Sequence, residues 1–163
     1  MKRILAIVAF ILLAATAHAQ DSREIYNKFS DEEDVSAIFI SPSMFRMIGK
    51  LPDIDVDTDN GQKINLSGII RTLKGFYLIN CGNSSLSEKI NGEVRKLIDS
   101  SDYELMMEAK DSGESMRLYT VGTKDVIHSL VMHVTDRNES TFIGIEGVMN
   151  RNELEKLLSD AMK

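Results

Sequence analysis

The spacing of apolar positions separates helical from extended segments in this chain. Residues 21–34 are polar, with Ile25 and Phe29 at helical spacing, which predicts a first helix that docks on the core. Residues 35–40 form a compact apolar run, and residues 76–79 form another. Short apolar runs of this length are typical of buried strands. The pattern therefore predicts one helix followed by two strands that lie far apart in the sequence.

Two short helices are predicted between these strands. Ser41 and Pro42 start the first, because a serine hydroxyl caps free N–H groups and proline fits the first helical position. The second has one apolar stripe over residues 66–73 and is expected to end at Gly75.

Two longer helices follow, each with a capping signal. Ser85 and Glu88 have the spacing of a capping box, and Asn150 and Glu153 repeat that spacing near the C terminus. Apolar residues then recur at steps of three and four, which is typical of an amphipathic helix. In the first of these helices the stripe consists of Leu86, Ile90, Val94, Leu97 and Ile98.

From residue 103 to residue 148 the period changes to two. Alternating apolar and polar side chains are typical of strands with one buried face. Asp111-Ser112-Gly113 is a turn sequence that joins the first two of these strands as a hairpin. The predicted strands are 103–110, 116–121, 126–135 and 140–148.

This order of elements predicts an α+β fold. We expect a mixed, mainly antiparallel sheet of about six strands, with a C-terminal four-strand meander and helices packed on one face. Strands 35–40 and 76–79 are joined through helices, so they are expected to lie parallel, with right-handed crossovers.

One surface of the meander is a candidate binding site. The predicted register turns Met106, Tyr119 and His133 away from the helices, where they would form a small, partly apolar surface for a partner protein or a second copy. The alternative is that the first helix, within residues 21–34, covers these side chains. Both interpretations remain open at this point.

The N terminus has the three parts of an export signal. Lys2 and Arg3 are basic, residues 4–15 are apolar, and Ala17-His18-Ala19 is a small-x-small cleavage site. The apolar run is too short for a stable membrane span, which needs roughly 20 residues. We therefore expect residues 1–19 to be a signal peptide and residues 20–163 to form a single, exported domain.

The charge disfavours nucleic acid as a partner. The net charge is −6, and removal of Lys2 and Arg3 makes it −8. Proteins that bind phosphate backbones need a basic footprint, which this composition does not supply.

No catalytic or cofactor-binding motif occurs in the sequence. With one cysteine, Cys81, a disulfide framework, a thiolate zinc site and a CxxC redox pair are all excluded. Glycine-rich phosphate loops, HExxH and GxSxG are also missing. We therefore expect a protein that is not an enzyme and that needs no cofactor. A thiol enzyme built on Cys81 with His128 or His133 is the weakest alternative.

An alternating acidic segment is the candidate metal site. Asp53, Asp55, Asp57 and Asp59 could offer oxygen ligands to Ca²⁺. The segment departs from the EF-hand pattern. Asn60 stands where that loop has a glycine, and Leu66 stands where it has the bidentate glutamate. A solvated acidic loop is the simpler interpretation.

Several of these features together resemble the DUF4252 family, small exported proteins of Bacteroidota. They are the signal peptide, the helix with Ile25 and Phe29, the strand that runs into Ser41-Pro42-Ser43-Met44, the acidic loop before residues 69–73, and the start of the meander at 105–110. The resemblance implies a location in the periplasm or cell envelope of a Gram-negative bacterium. From the genes near some members, it also implies a signalling role. Many members carry a lipobox, which this chain lacks. The family supplies no catalytic residues.

The expected function is therefore that of an exported, non-catalytic interaction or regulatory module with a protein partner or a second copy. A domain that binds a small apolar ligand between sheet and helices is the alternative.

Overall fold

The computed structural model describes residues 21–50, 55–57, 63–65 and 67–161. The helices are α1 (Ser22–Phe29), α2 (Pro42–Ile48), α3 (Ser67–Ile70), α4 (Ser84–Ser100) and α5 (Arg151–Ala161). The strands are β1 (Val35–Ile40), β2 (Asp55–Asp57), β3 (Lys63–Asn65), β4 (Leu73–Cys81), β5 (Glu104–Asp111), β6 (Glu114–Gly122), β7 (Val126–Thr135) and β8 (Ser140–Asn150).

Six strands form one sheet in the order β1-β4-β8-β7-β6-β5, and every neighbouring pair is antiparallel. Strands β2 and β3 pair separately. The predicted α+β fold with a six-stranded sheet and a C-terminal meander is confirmed. The predicted parallel arrangement of β1 and β4 is wrong. Their connection contains two short helices and a separate strand pair instead of one long crossover helix, and β1 and β4 pair antiparallel.

Local capping signals locate most helix starts. The Ser41 hydroxyl accepts a hydrogen bond from the Met44 N–H at 3.2 Å, as predicted. The Asn150 side chain accepts one from the Glu153 N–H at 3.2 Å. Helix α4, however, starts two residues earlier than its capping box predicts, because its cap is Asn83 instead of Ser85.

Gly75 has a different role from the predicted one. Helix α3 ends at Ile70, and Gly75 lies inside β4, next to an irregularity in the pairing with β8. A Cβ at Gly75 would lie 2.7 Å from the Tyr77 hydroxyl oxygen, so the tyrosine ring crosses the glycine backbone. Gly75 therefore provides space for the ring of Tyr77. The rule that a glycine ends a helix concerns only local backbone conformation and does not predict such a contact.

The two faces of the sheet carry separate apolar clusters. Helices α1 and α4 contact each other and pack on β4 and β8, on the one face where the prediction placed all the helices. The other face is covered in part by α3 and α5, through Ile69 and Leu154. The first cluster consists of Ile25, Phe29, Tyr77, Ile79, Cys81, Ile90, Val94, Leu97, Val131 and Phe142. The second consists of Leu118, Ile127, Leu130 and Met149.

Within the described chain, no helix is long and apolar enough to cross a membrane.

Candidate functional site

A cleft of about 270 Å³ lies between α4 and strands β6 and β7. The helix contributes polar and apolar side chains at steps of three and four, and the strands contribute alternate residues from their α4 side. The lining consists of Asn91, Val94, Arg95, Ile98, Asp99, Arg117, Tyr119, His133 and Thr135.

His133 lies at the buried end of this cleft and is 7% exposed. Its partners across the neighbouring strands are Arg117 on β6 and Phe142 on β8. Phe142 belongs to the cluster beneath α1 and α4, so His133 faces the same helices. Alternation along β7 thus directs an imidazole towards α4.

Asn91 connects His133 to a second buried polar group. The His133 Nε2 atom lies 2.9 Å from the Asn91 Oδ1 atom, and the Ser140 hydroxyl donates to the same oxygen at 2.8 Å. Because Oδ1 only accepts, this contact requires the proton to be on Nε2. In the neutral imidazole, Nδ1 then remains as the acceptor.

The surroundings of His133 keep its ring neutral. Burial, together with the positive charges of Arg117 and Arg95, lowers the pKa of His133 from 6.5 to about 4. The imidazole is therefore uncharged at neutral pH, and the two guanidinium groups supply the positive charge of the cleft.

Glu108 on β5 occupies one side of the Arg117 guanidinium. The Arg117 Nε atom donates to a Glu108 carboxylate oxygen at 2.7 Å, and Lys110 forms an ion pair with the same carboxylate at 3.0 Å. Hydrogen bonds from Arg117, and then from Lys110, lower the pKa of Glu108. The Arg117 guanidinium is thus held beside the cleft by the Glu108 carboxylate, which also pairs with Lys110.

The structure separates the three residues of the predicted binding surface. Tyr119 and His133 line the α4 cleft, so the expectation that they face away from the helices is wrong. Met106 is 40% exposed and does not belong to this lining. A pairing irregularity between Leu105 and Met107 shifts the alternation of β5 relative to β6, and a strict period of two misses such a shift.

Sequence reasoning missed the helical half of the cleft. Asn91, Arg95 and Asp99 recur every four residues along α4, immediately beside its apolar stripe. This row of polar residues is the sequence signal for a polar cleft wall on α4. A helix face that is exposed to solvent has the same pattern, so the row does not by itself distinguish the two.

Cys81 and the histidines do not share a hydrogen bond in the described chain. The Cys81 side chain is fully buried, and its sulfur accepts from the Asn83 N–H at 3.4 Å. His133 instead contacts Asn91 and Ser140, while His128 is exposed.

The predicted acidic metal site lies largely outside the described residues. Asp53 and Asp59 fall outside them, while Asp55 and Asp57 are described only as the ends of β2. Among the residues that the structure describes, no group of three or more His, Cys, Asp or Glu side chains could hold a metal ion.

Apolar side chains are exposed mainly at the edges of the six-stranded sheet. Of seven exposed large apolar residues in the described chain, six lie on the edge strands β1 and β5 or on α2, directly after β1. The β1–α2 surface, as we call it below, consists of Ile38, Phe39, Met44 and Met47. The opposite edge has Leu105 and Met106.

Comparison with known proteins gives one family match. The family model described as "Domain of unknown function (DUF4252)" matches residues 26–157, which include the cleft and both edges of the sheet. No curated protein and no solved structure matches the chain.

Proposed function

The chain belongs to the DUF4252 family, and we propose that it is an exported, non-catalytic interaction or regulatory module of the bacterial envelope, which binds another polypeptide along β1. The observation that carries the proposal is the β1–α2 surface, where four large apolar side chains are exposed within ten residues. Ile38 and Phe39 are consecutive on β1, so their side chains lie on opposite faces of the sheet and flank this strand edge from both sides. Apolar groups that stay exposed beside an unpaired strand edge are typical of interaction sites.

The two edges of the sheet differ in how they are protected. Strand β5 contains Glu104, Glu108, Lys110 and Asp111 together with a pairing irregularity, and charges and bulges both discourage the addition of a strand. Strand β1 has the sequence Val-Ser-Ala-Ile-Phe-Ile, without a charge or a proline, and pairs regularly with β4. Edge β1 is therefore the one suited to accept an extended segment from a partner protein or a second copy.

Three aromatic rings contact one another at β1. Phe39 stacks on Tyr77, with ring centroids 5.3 Å apart, and its ring lies 5.8 Å from that of Tyr26. The Tyr26 and Tyr77 rings are 5.9 Å apart. A preformed edge loses little conformational freedom when a segment binds to it.

The test compares lysine substitutions at the two edges. Ile38 on β1 is 50% exposed and Leu105 on β5 is 53% exposed, so Leu105→Lys is a matched control for Ile38→Lys. The full chain is expressed in its own host, captured from the envelope fraction, and analysed by sedimentation and by hydrogen exchange of β1. We expect the wild type to form a complex in which the β1 amides are protected, and Ile38→Lys to abolish it.

Two results would contradict this proposal. One is a complex that Ile38→Lys leaves intact. The other is equal loss of the complex in Ile38→Lys and Leu105→Lys. Sedimentation mass then distinguishes a second copy from a different protein.

Export is tested separately by the N terminus of the protein recovered from the host. Intact-mass measurement should give a chain that begins at Gln20, in the periplasmic or envelope fraction. A chain that retains Met1 in the cytoplasmic fraction would contradict the proposed location.

A small ligand between sheet and helices is the second candidate function, because the cleft beside His133 lies in that position. Its lining includes two arginines, so it is more polar than the apolar pocket with few polar groups that this alternative expects.

A further inference from the structure

Two guanidinium groups border the cleft from opposite sides. Arg95 comes from α4 and Arg117 from β6. Within the described residues Arg95 forms no ion pair, and its Nε atom donates to the Asn91 backbone oxygen of its own helix at 3.3 Å. Arg117 contacts Glu108 through its Nε atom. The guanidinium fork matches the geometry of a carboxylate, so both side chains retain the donors that such a group needs.

The charge of the lining is opposite to that of the protein. Asp99 supplies one negative charge to the described lining, against the two positive charges of Arg95 and Arg117. Glu108 and Lys110, which form an ion pair beside Arg117, add one charge of each sign, so an excess of one positive charge remains. The chain as a whole has a net charge of −6. A local excess of positive charge in an acidic protein favours an anion in this place.

The two arginines line the same cleft as His133. Arg117 lies directly across from His133 on the neighbouring strand, and Arg95 reaches the cleft from α4. The positive charges of both lower the pKa of His133. His133 itself is held by Asn91, whose oxygen also accepts from Ser140. The polar end of the cleft is thus built on side chains that are fixed by hydrogen bonds, which lowers the cost of binding.

Part of the remaining lining is apolar, and Thr135 adds one more polar group. Val94 and Ile98 lie one turn apart on α4, and Tyr119 lies opposite them on β6. The volume of about 270 Å³ is slightly below the range of roughly 300 to 1,000 Å³ for small-molecule pockets. A ligand that fits must therefore be small, with a short apolar part.

From these observations we infer that the α4 cleft is a binding site for a small carboxylate with a short apolar tail. The carboxylate lies between Arg95 and Arg117, and the tail contacts Val94, Ile98 and Tyr119. This inference goes beyond the proposed docking of a polypeptide, because the cleft is lined by α4, β6 and β7, whereas the docking edge is β1 at the other end of the strand order.

Hexanoate is the probe for the test, with hexanol and acetate as its matched controls. Hexanol keeps the tail without the charge, and acetate keeps the charge without the tail. Binding is measured by nuclear magnetic resonance on the labelled processed chain, from the arginine Nε–H and Tyr119 signals. We expect saturable shifts with hexanoate, and affinity lower by about tenfold or more for each control compound.

Variants locate the binding site. Arg95→Gln and Arg117→Gln should each weaken hexanoate binding by about tenfold, because each removes a charged donor pair. Arg137→Gln is the control, since Arg137 is exposed in the turn between β7 and β8 and does not line the cleft. Thermal unfolding of each variant shows whether the fold is retained. If Arg95→Gln does not fold, Arg95→Lys replaces it, because lysine keeps the positive charge and lacks the forked guanidinium group.

The inference is overturned if hexanoate causes no saturable shift in the cleft, if hexanol binds equally well, or if Arg137→Gln weakens binding as much as the cleft variants. These outcomes are independent of the Ile38→Lys result, so the two proposals fail separately.

Discussion

Ser22, the first residue of α1, lies directly against Gly144 in the middle of β8. A Cβ atom at Gly144 would overlap the hydroxyl oxygen and the Cβ atom of Ser22, and Ser22 is fully buried. The glycine thus lets the start of a helix touch the backbone of a central strand. This contact sets how closely α1 approaches the sheet, and hence how Ile25 packs beneath it.

Gly144→Ala should destabilise the protein by roughly 1 to 3 kcal/mol, because the added methyl group overpacks the contact with Ser22. Urea unfolding measures the change. Gly92→Ala is the matched control: a Cβ at Gly92, inside α4, meets no atom within 4 Å. Alanine there should stabilise the helix by about 0.5 to 1 kcal/mol. A Gly144→Ala protein as stable as the wild type would show that α1 does not pack closely on β8.

Stability should fall as the pH decreases through the titration of His133. The folded-state pKa of about 4 lies below the ordinary value of 6.5, so the unfolded chain takes up the proton first. The contribution of the neutral, buried His133 to the free energy of unfolding is fully present above pH 6.5. It is lost progressively as the pH falls from 6.5 to about 4. The difference in pKa corresponds to roughly 3 kcal/mol.

Urea unfolding between pH 4 and pH 7 measures this dependence. His133→Gln should remove the His133 contribution to the slope. Equal slopes in the wild type and His133→Gln would mean that the imidazole titrates alike in the folded and unfolded chains.

Asn91→Leu should cost roughly 2 to 5 kcal/mol of stability. The substitution removes the oxygen that accepts from both His133 and Ser140, and each buried donor left without a partner costs about 1 to 3 kcal/mol. Asn27→Leu is the control, at an exposed position of α1, where a change within about 0.5 kcal/mol is expected. Similar losses in the two variants would argue that the Asn91 contacts contribute little to stability.

Cys81 should react with Ellman's reagent only when the protein opens. Its side chain has an exposed fraction of 0% and packs in the cluster beneath α1 and α4. The rate of thiol modification should therefore rise with urea in parallel with unfolding. Rapid modification of the folded protein would contradict this burial and would revive the hypothesis of a reactive thiol.

Local signals in the sequence predicted most element types because they act over a few residues. The Ser41 cap needs only a hydroxyl and an N–H three residues later. The hairpin turn needs residues that accept a positive φ, and Ser112 and Gly113 adopt φ values of 45° and 105°. By contrast, the apolar stripe of residues 66–73 predicted a longer helix than α3. The observed helix is shorter because Leu73 pairs with β8 and is part of β4.

The candidate site was harder to predict because it joins residues that are distant in the sequence. Tyr119 and His133 were singled out from the pattern of the meander, but on the assumption that they point away from the helices. Their partners Asn91 and Arg95 belong to a helix whose position over the sheet no local pattern reveals.

The order of polar and apolar residues by itself determined the α+β class, the meander and most helix starts, because hydrogen bonding within a helix or hairpin depends on near neighbours. Only the tertiary structure decided that β1 and β4 are antiparallel, and that His133 is buried against Asn91. The reason is physical. Strand direction and the choice of the covered face depend on contacts between segments that lie tens of residues apart in the sequence. Pairing irregularities, such as the one at Leu105, also shift the alternation of side chains on which a sequence pattern relies.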